Sequence, residues 1–224
     1  MKSKELKILR KRLTSANRCE DLLKGIDNAT SYSVRTNDST NEKSVPSEDE
    51  DCRRKENLFI TFLPSSQIED IRQTEFLTLF EKNMGEMYRN SSWGLDMDEK
   101  SAELRNDKAR FLFVTDDEES LVGFLHFRFE YDDEESPTCA VLYVYEIQIE
   151  SAYRRCGVGR HLMSIAERIA REQTMSKVVL TVFKKNTQAM TFYTTSLGYN
   201  IDEASPSKFE DHSADYEILS LKLQ

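Results

Sequence analysis

Arg154-Arg155-Cys156-Gly157-Val158-Gly159 follows an apolar, strand-like run and opens an amphipathic helix. Glycines at 157 and 159 let the backbone turn sharply and come close to a ligand. The helix start that follows offers unpaired N–H groups and the positive end of a dipole. The segment Arg154, Arg155, Cys156, Gly157, Val158, Gly159 and Arg160 is therefore a candidate cradle for the pyrophosphate of a nucleotide-tailed cofactor. Its spacing excludes two such cofactor motifs. No Gly-x-x-x-x-Gly-Lys-Ser/Thr loop is present, and a dinucleotide fingerprint would need glycine where the chain has Leu162.

Glu146 is the second candidate. It interrupts the apolar stretch Tyr143-Val144-Tyr145-Glu146-Ile147, where a carboxylate is costly without a partner or a task. Partial burial would raise its pKa toward the working range of a general base. The competing reading is a structural ion pair. No Ser-His-Asp set is evident: His126 stands alone in a strand and reads as structural, and Cys156 reads as a backbone contributor to the loop. Direct transfer between two bound substrates fits these residues better than a covalent intermediate.

These residues need a scaffold, and the 224-residue chain is long enough for one full domain with extensions. No apolar run approaches the length of a membrane span, and no signal peptide or myristoylation pattern is expected. The four cysteines form no Cys-x-x-Cys pair, so neither a zinc site nor a disulfide framework is indicated and a reducing, intracellular setting fits. Residues 1–27 hold eight Lys/Arg against four Asp/Glu, a surplus of +4 that leaves −13 for the remainder of a chain of net charge −9. An acidic body disfavours nucleic acid and suits a basic partner.

Periodicity predicts a basic helix over 3–27, then a polar linker or long loop over 28–57. The folded domain, 58–224, starts with the strand Leu58–Leu63. A helix over 66–90 is predicted to bury Ile68, Ile71, Phe76, Leu79, Phe80, Met84 and Met87. The charged stretch 96–110 suits a second, exposed helix. Strands 110–115, 121–130 and 139–150 follow. The helix 160–172 leads to strand 178–183, helix 187–195, a strand near 199–201 and a last strand 216–221. This order predicts a mixed α/β (α+β) layer fold, a mostly antiparallel sheet flanked by helices with one parallel crossover.

The pattern Arg-x-x-Gly-x-Gly, followed at the proper distance by Asn186-Thr187-Gln188-Ala189-Met190-Thr191-Phe192-Tyr193 and Gly198, resembles the acetyl-CoA site of the GCN5-related N-acetyltransferase superfamily. Further stretches include Ser15-Ala16-Asn17-Arg18, His126-Phe127-Arg128-Phe129, Val141-Leu142-Tyr143-Val144-Tyr145-Glu146 and Leu180-Thr181-Val182-Phe183-Lys184. Through these the chain is similar to the histone-specific N-alpha-acetyltransferase (N-alpha-acetyltransferase D) family. One departure is a residue inserted between Tyr193 and Gly198; another is Glu130, where that family has the shorter aspartate.

The resemblance implies transfer of acetyl from acetyl-CoA, without metal, to the α-amine of histone tails beginning Ser-Gly-Arg-Gly. It also implies a monomer acting in nucleus and cytoplasm. Glu146 would be the base, through a water, with Tyr145 beside it and a strand bulge bringing both to one site. The backbone of Ile147, Gln148 and Ile149 would pair with the pantetheine arm, with Asn186 and Tyr193 flanking it. Tyr88, Trp93, Glu130, Tyr131, Asp132, Tyr143, Tyr145, Thr181 and Tyr216 would bind the tail, Glu130 and Asp132 clamping its arginine. A lysine or polyamine acetyltransferase of the same superfamily, or a non-catalytic histone-binding module, remain alternative readings.

Overall fold

The computed structural model describes residues 3–26, 29–37, 53–209 and 213–223. An eight-stranded sheet runs through it: β1 (Ser31–Asn37), β2 (Arg53–Pro64), β3 (Arg110–Thr115), β4 (Leu121–Tyr131), β5 (Ala140–Ile149), β6 (Lys177–Phe183), β7 (Asn200–Ile201) and β8 (Tyr216–Lys222). The spatial order is β1-β2-β3-β4-β5-β6-β8-β7. Every pair is antiparallel except β5 with β6. The helices are α1 (Ser3–Asn17), α2 (Asp70–Arg89), α3 (Met97–Leu104), α4 (Val158–Glu172) and α5 (Thr187–Thr191). This is the mixed, mostly antiparallel layer architecture that the element order implies.

The side-chain alternation of β3 and β4 divides the interior in two. Leu112, Val114, Leu125 and Phe127 face the larger core, which α4 closes with Leu162, Met163, Ile165, Ala166, Ile169 and Ala170. Phe111, Phe113 and Phe124 face the other way, onto Phe76 and Leu79 of α2 and Leu104 of α3. His126, Arg128 and Glu130 continue this second face along β4, so the layer of α2 and α3 lies over the polar half of the sheet.

Several elements differ from expectation. The N-terminal helix ends at Asn17 rather than 27, and the chain then runs irregularly while still burying Leu22 and Ile26. The supposed linker 28–57 contributes β1 and the first residues of β2, which pair from Ser31↔Phe59 to Asn37↔Arg53. Positions 38–52 of that tract lie outside the described residues. Ile71 is 70% exposed instead of buried: five positions from Phe76, it points about 140° away from that face.

The basic helix packs on the domain. Leu9 and Ala16 are buried, and α1 lies against β4 and β5. Asn17 Nδ2 donates to the Phe129 carbonyl at 3.3 Å, and Arg110 Nη2 donates to the Asn17 carbonyl at 2.6 Å. Removing residues 1–19 would uncover this apolar seat and strip a buried guanidinium of an acceptor. The expected loss is about 3 kcal/mol, or roughly 10 °C in melting midpoint. Differential scanning calorimetry checks it; an unchanged midpoint would show that α1 is not part of the folded unit.

Candidate active site

The predicted bulge is present. The β4–β5 ladder pairs His126 with Glu146 but Phe127 with Val144, so Tyr145 is the extra residue. In a regular strand Tyr145 and Glu146 would face opposite ways. Here both lie beside His126. The imidazole stacks on Tyr145 with centroids 4.8 Å apart, and its Nδ1 is 3.9 Å from Glu146 Oε1. The parallel ladder of β5 with β6 ends at the same place: its last pair is Val144↔Leu180, although β5 continues to Ile149 and β6 to Phe183. The backbone of Ile147, Gln148 and Ile149 therefore faces a widening gap on that side.

The loop Arg154 to Arg160, the candidate pyrophosphate cradle, borders this gap. Arg155 and Gly157 both take positive φ, 66° and 89°, and Gly157 is the left-handed N-cap of α4. Successive N–H groups in such a turn form an anion-binding concavity. Gly159 has a different reason to be glycine. A Cβ there would sit 3.5 Å from the Phe192 ring and 3.7 Å from the Ile147 side chain, pointing into the space between β5 and the segment after α5. These residues fit a nucleotide-tailed thioester with an extended arm.

On the far wall, Asn186 Oδ1 accepts from the Ala189 N–H at 3.1 Å and so caps α5. That fixes how the side chain stands at the gap. The inserted residue before Gly198 is absorbed by a π-turn over Phe192–Ser196, seen in the Leu197 N–H donating to the Phe192 carbonyl. Tyr193 stays buried against Phe192 and Tyr199. Burial pushes its pKa up, so the hydroxyl keeps its proton.

Glu146 is 8% exposed and sits in a cluster the sequence did not disclose. Lys100 Nζ is 3.0 Å from its Oε1 and 2.5 Å from Glu103 Oε1, and lies 4.4 Å from the Phe80 ring centroid. Burial by itself would raise the Glu146 pKa. The Lys100 charge, with His126 beside it, outweighs that and holds the carboxylate below its usual range. The expected upward shift is therefore corrected: the group is a stable carboxylate, because its partner is a full positive charge a hydrogen-bond length away.

His126 is wholly buried, and burial lowers its pKa, so it is neutral. Arg128 Nε donates to its Nε2 at 3.4 Å, which leaves the ring proton on Nδ1, facing Glu103 and Glu146 at 3.9 Å each. Glu103, His126 and Glu146 bring possible ligand atoms within 4.8 Å of one another. The Lys100 ammonium is the cation between the two carboxylates.

Glu146 Oε2 is the end of a hydrogen-bonded chain. Arg154 Nη2 donates to Asn83 Oδ1, Asn83 Nδ2 to Gln148 Oε1 at 3.1 Å, and Gln148 Nε2 to Glu146 Oε2 at 3.3 Å. Arg154 can only donate and the carboxylate only accept, so the direction of each amide between them is set.

Most of the predicted tail-binding residues, Tyr88, Trp93, Glu130, Tyr143, Tyr145, Thr181 and Tyr216, gather over the same face. Tyr88, Trp93 and Tyr216 form an aromatic wall with Phe183: Trp93 lies 5.2 Å from Tyr216 and 5.0 Å from Phe183, and Tyr88 lies 5.1 Å from Phe183. Trp93 is 49% exposed. Opposite, the Tyr143 hydroxyl bonds that of Thr181. The Tyr145 hydroxyl donates to Glu130 Oε1 at 2.9 Å, and the Arg128 guanidinium stacks 4.1 Å from the Tyr145 ring centroid. Burial raises the Glu130 pKa and the Tyr145 bond lowers it less. Tyr131, also expected to bind the tail, is not brought to this face: it alternates with Glu130 at the end of β4 and is half-buried against the larger core.

Asp132 departs from its expected role as a clamp. Its carboxylate accepts from the Thr138 N–H and hydroxyl and from the Cys139 N–H, closing the β4–β5 turn. Burial would raise its pKa, but these bonds together lower it. Lys100, Asn83 and Phe183 are site residues that sequence reasoning missed. The buried lysine could have been suspected only from its i,i+3 spacing to Glu103, which more often marks a surface pair.

Residues 67–199 match the acetyltransferase (GNAT) family. Solved structures share the fold at low identity. An acetyltransferase of the GNAT family from Staphylococcus aureus is 17% identical, with a TM-score of 0.52, over 74% of this chain and 99% of its own. Ard1 from Thermoplasma volcanium is 18% identical, with a TM-score of 0.51, over 74% of this chain and 98% of its own. NAA60 from Arabidopsis thaliana, in complex with a bisubstrate analogue, is 14% identical, with a TM-score of 0.53, over 74% and 99%.

The two loop glycines are expected to fail differently. Gly157→Ala places a Cβ at positive φ and costs about 1–2 kcal/mol of stability. Gly159→Ala meets only ordinary contacts and sits at the start of a helix, so the melting midpoint is maintained or rises. Acetyl-CoA affinity, measured by titration calorimetry, should nevertheless fall by about tenfold or more, roughly 1.4 kcal/mol. Full affinity in Gly159→Ala would place the cofactor elsewhere.

Proposed function

The chain belongs to the acetyltransferase (GNAT) family and is an acetyl-CoA-dependent acyltransferase; on that premise we propose that it acetylates the N-terminal α-amine of histone tails beginning Ser-Gly-Arg-Gly. The observation that carries the reading is the bulge at Tyr145. It puts one buried carboxylate, Glu146, on the face walled by Tyr88, Trp93 and Tyr216, immediately before the open edge of β5.

The chemistry asks little of the protein. Acetyl-CoA supplies an activated thioester. The protein aligns a neutral amine, takes its proton and offers N–H groups to the developing oxyanion. Glu146 is a weak base, but the amine nitrogen becomes strongly acidic once it has bonded to the carbonyl carbon. A carboxylate can accept that proton through a water late in the attack. Tyr193, kept protonated by burial, is too weak an acid to protonate a thiolate but can offer its hydroxyl as a hydrogen-bond donor, and the thiolate takes its proton from solvent. The tail arginine would meet Glu130, which accepts from the Tyr145 hydroxyl through Oε1 and keeps Oε2 for a further donor, while Asp132 is engaged by its turn. The acidic body suits a basic tail.

Steady-state assays with Ser-Gly-Arg-Gly peptides test this. Acetylation should occur on the free α-amine, cease when that amine is blocked, and fall about 100-fold or more in Glu146→Gln with acetyl-CoA affinity within about twofold. Turnover on a blocked peptide containing lysine would instead favour a lysine acetyltransferase. Absence of turnover on every amine would favour a binding module.

A further inference from the structure

The cation facing Glu146 has no part in the chemistry just described. Lys100 is in α3, whose rotation is set by Asp96: its Oδ1 caps the helix, accepting from the Asp98 and Glu99 N–H groups at 2.9 and 3.0 Å. With the helix held this way, Lys100 points inward and is 7% exposed. Lysine is almost never buried so deeply unless it is paired. Its ammonium is held by Glu103 Oε1 at 2.5 Å and Glu146 Oε1 at 3.0 Å, over the Phe80 ring.

The groups facing Glu146 come from four elements. Lys100 and Glu103 come from α3, neutral His126 from β4 with Arg128 behind it, Tyr88 from α2, and Gln148 from β5 itself. Lys100 is the positive charge in direct contact with the carboxylate.

We propose that Lys100 is a positioning residue for Glu146, its ammonium fixing one carboxylate oxygen against α3 and holding the group in the charged form that can accept a proton. The proposal rests on the reading of Glu146 as the base. Glu103 and Glu146 share one ammonium. Without it, buried Glu146 faces half-buried Glu103 with no cation between them, and the more deeply buried carboxylate takes up a proton. A protonated Glu146 accepts nothing, so the site would shut off at a higher pH. Burial would lower the Lys100 pKa, but both carboxylates raise it, so the ammonium persists throughout the working range.

The test is the pH dependence of kcat for wild type, Lys100→Met, Lys100→Arg, Glu103→Gln and Glu146→Gln, with acetyl-CoA affinity measured in each. In Lys100→Met the acid limb should move up by about one unit or more, a roughly tenfold loss on its slope, with acetyl-CoA affinity within about twofold. Lys100→Arg should bring the limb back toward wild type. Glu103→Gln leaves the ammonium to Glu146 alone, so its limb should stay or move down. An unmoved limb in folded Lys100→Met, with Glu146→Gln still inactive, overturns the proposal while sparing the base. Wild-type rate in Glu146→Gln overturns the base reading and with it this one. If Lys100→Met does not fold, Glu103→Gln decides, and an upward shift there overturns the proposal.

Discussion

One extra residue in β5 determines most of the site. The shift from His126↔Glu146 to Phe127↔Val144 makes Tyr145 and Glu146 neighbours on one face. A side-chain period of 2 would have sent one of them into the larger core. The same local departure coincides with the end of the β5–β6 ladder at Val144↔Leu180. Backbone groups beyond it have no pairing with β6, and Tyr145 and Glu146 stand at the mouth of the gap. Gly157 and α4 come next in the chain after β5 and its short 3-10 turn, so the candidate pyrophosphate cradle is placed by the same strand.

The polar face of the sheet is built as a set of mutually restrained charges. Glu103 and Glu146 share Lys100; His126 leans on both and accepts from Arg128; Arg128 also donates to the Glu103 carbonyl at 2.7 Å and stacks on Tyr145. Burying so many charged groups is costly, and pairs of this kind contribute little net stability. What they supply is a fixed geometry. From the other side, the chain Arg154–Asn83–Gln148 ends on the second oxygen of Glu146. The carboxylate is thus held by α3 at one oxygen and tied to the Arg154 loop at the other.

Local signals made much of this legible. The glycine loop, the strands from 110 to 149, the apolar face of α4 and the placing of Glu146 in a strand all follow from periodicity and turn residues. What sequence reasoning missed depends on contacts distant along the chain. Between Ser31 and Val34 only Tyr32 and Val34 turn inward, so this polar segment reads as linker; it is ordered by pairing with β2 and by Tyr32 packing 4.2 Å from the His161 ring. Lys100 looks like a surface residue until the Asp96 cap turns it inward. Asp132 looks like a ligand clamp until the Thr138 and Cys139 N–H groups claim it. The irregular Tyr193–Gly198 spacing resolves into a π-turn, which no short motif encodes.

A carboxylate held low by a permanent ammonium also bears on which amine the site can use. At pH 7 an α-amine with a pKa near 8 is neutralised for about 1.4 kcal/mol, whereas a lysine amine near 10.4 requires about 4.6 kcal/mol. A base with raised pKa could help remove that proton before attack. Glu146, paired with Lys100, is poorly suited to do so and is better matched to an amine of which about a tenth is already neutral at pH 7. On the proposed reading of Glu146 as the base, the ion pair that makes it a weak one would favour chain termini over side chains as acceptors. That preference would operate before any contact with Trp93, Glu130 or Tyr216 is made.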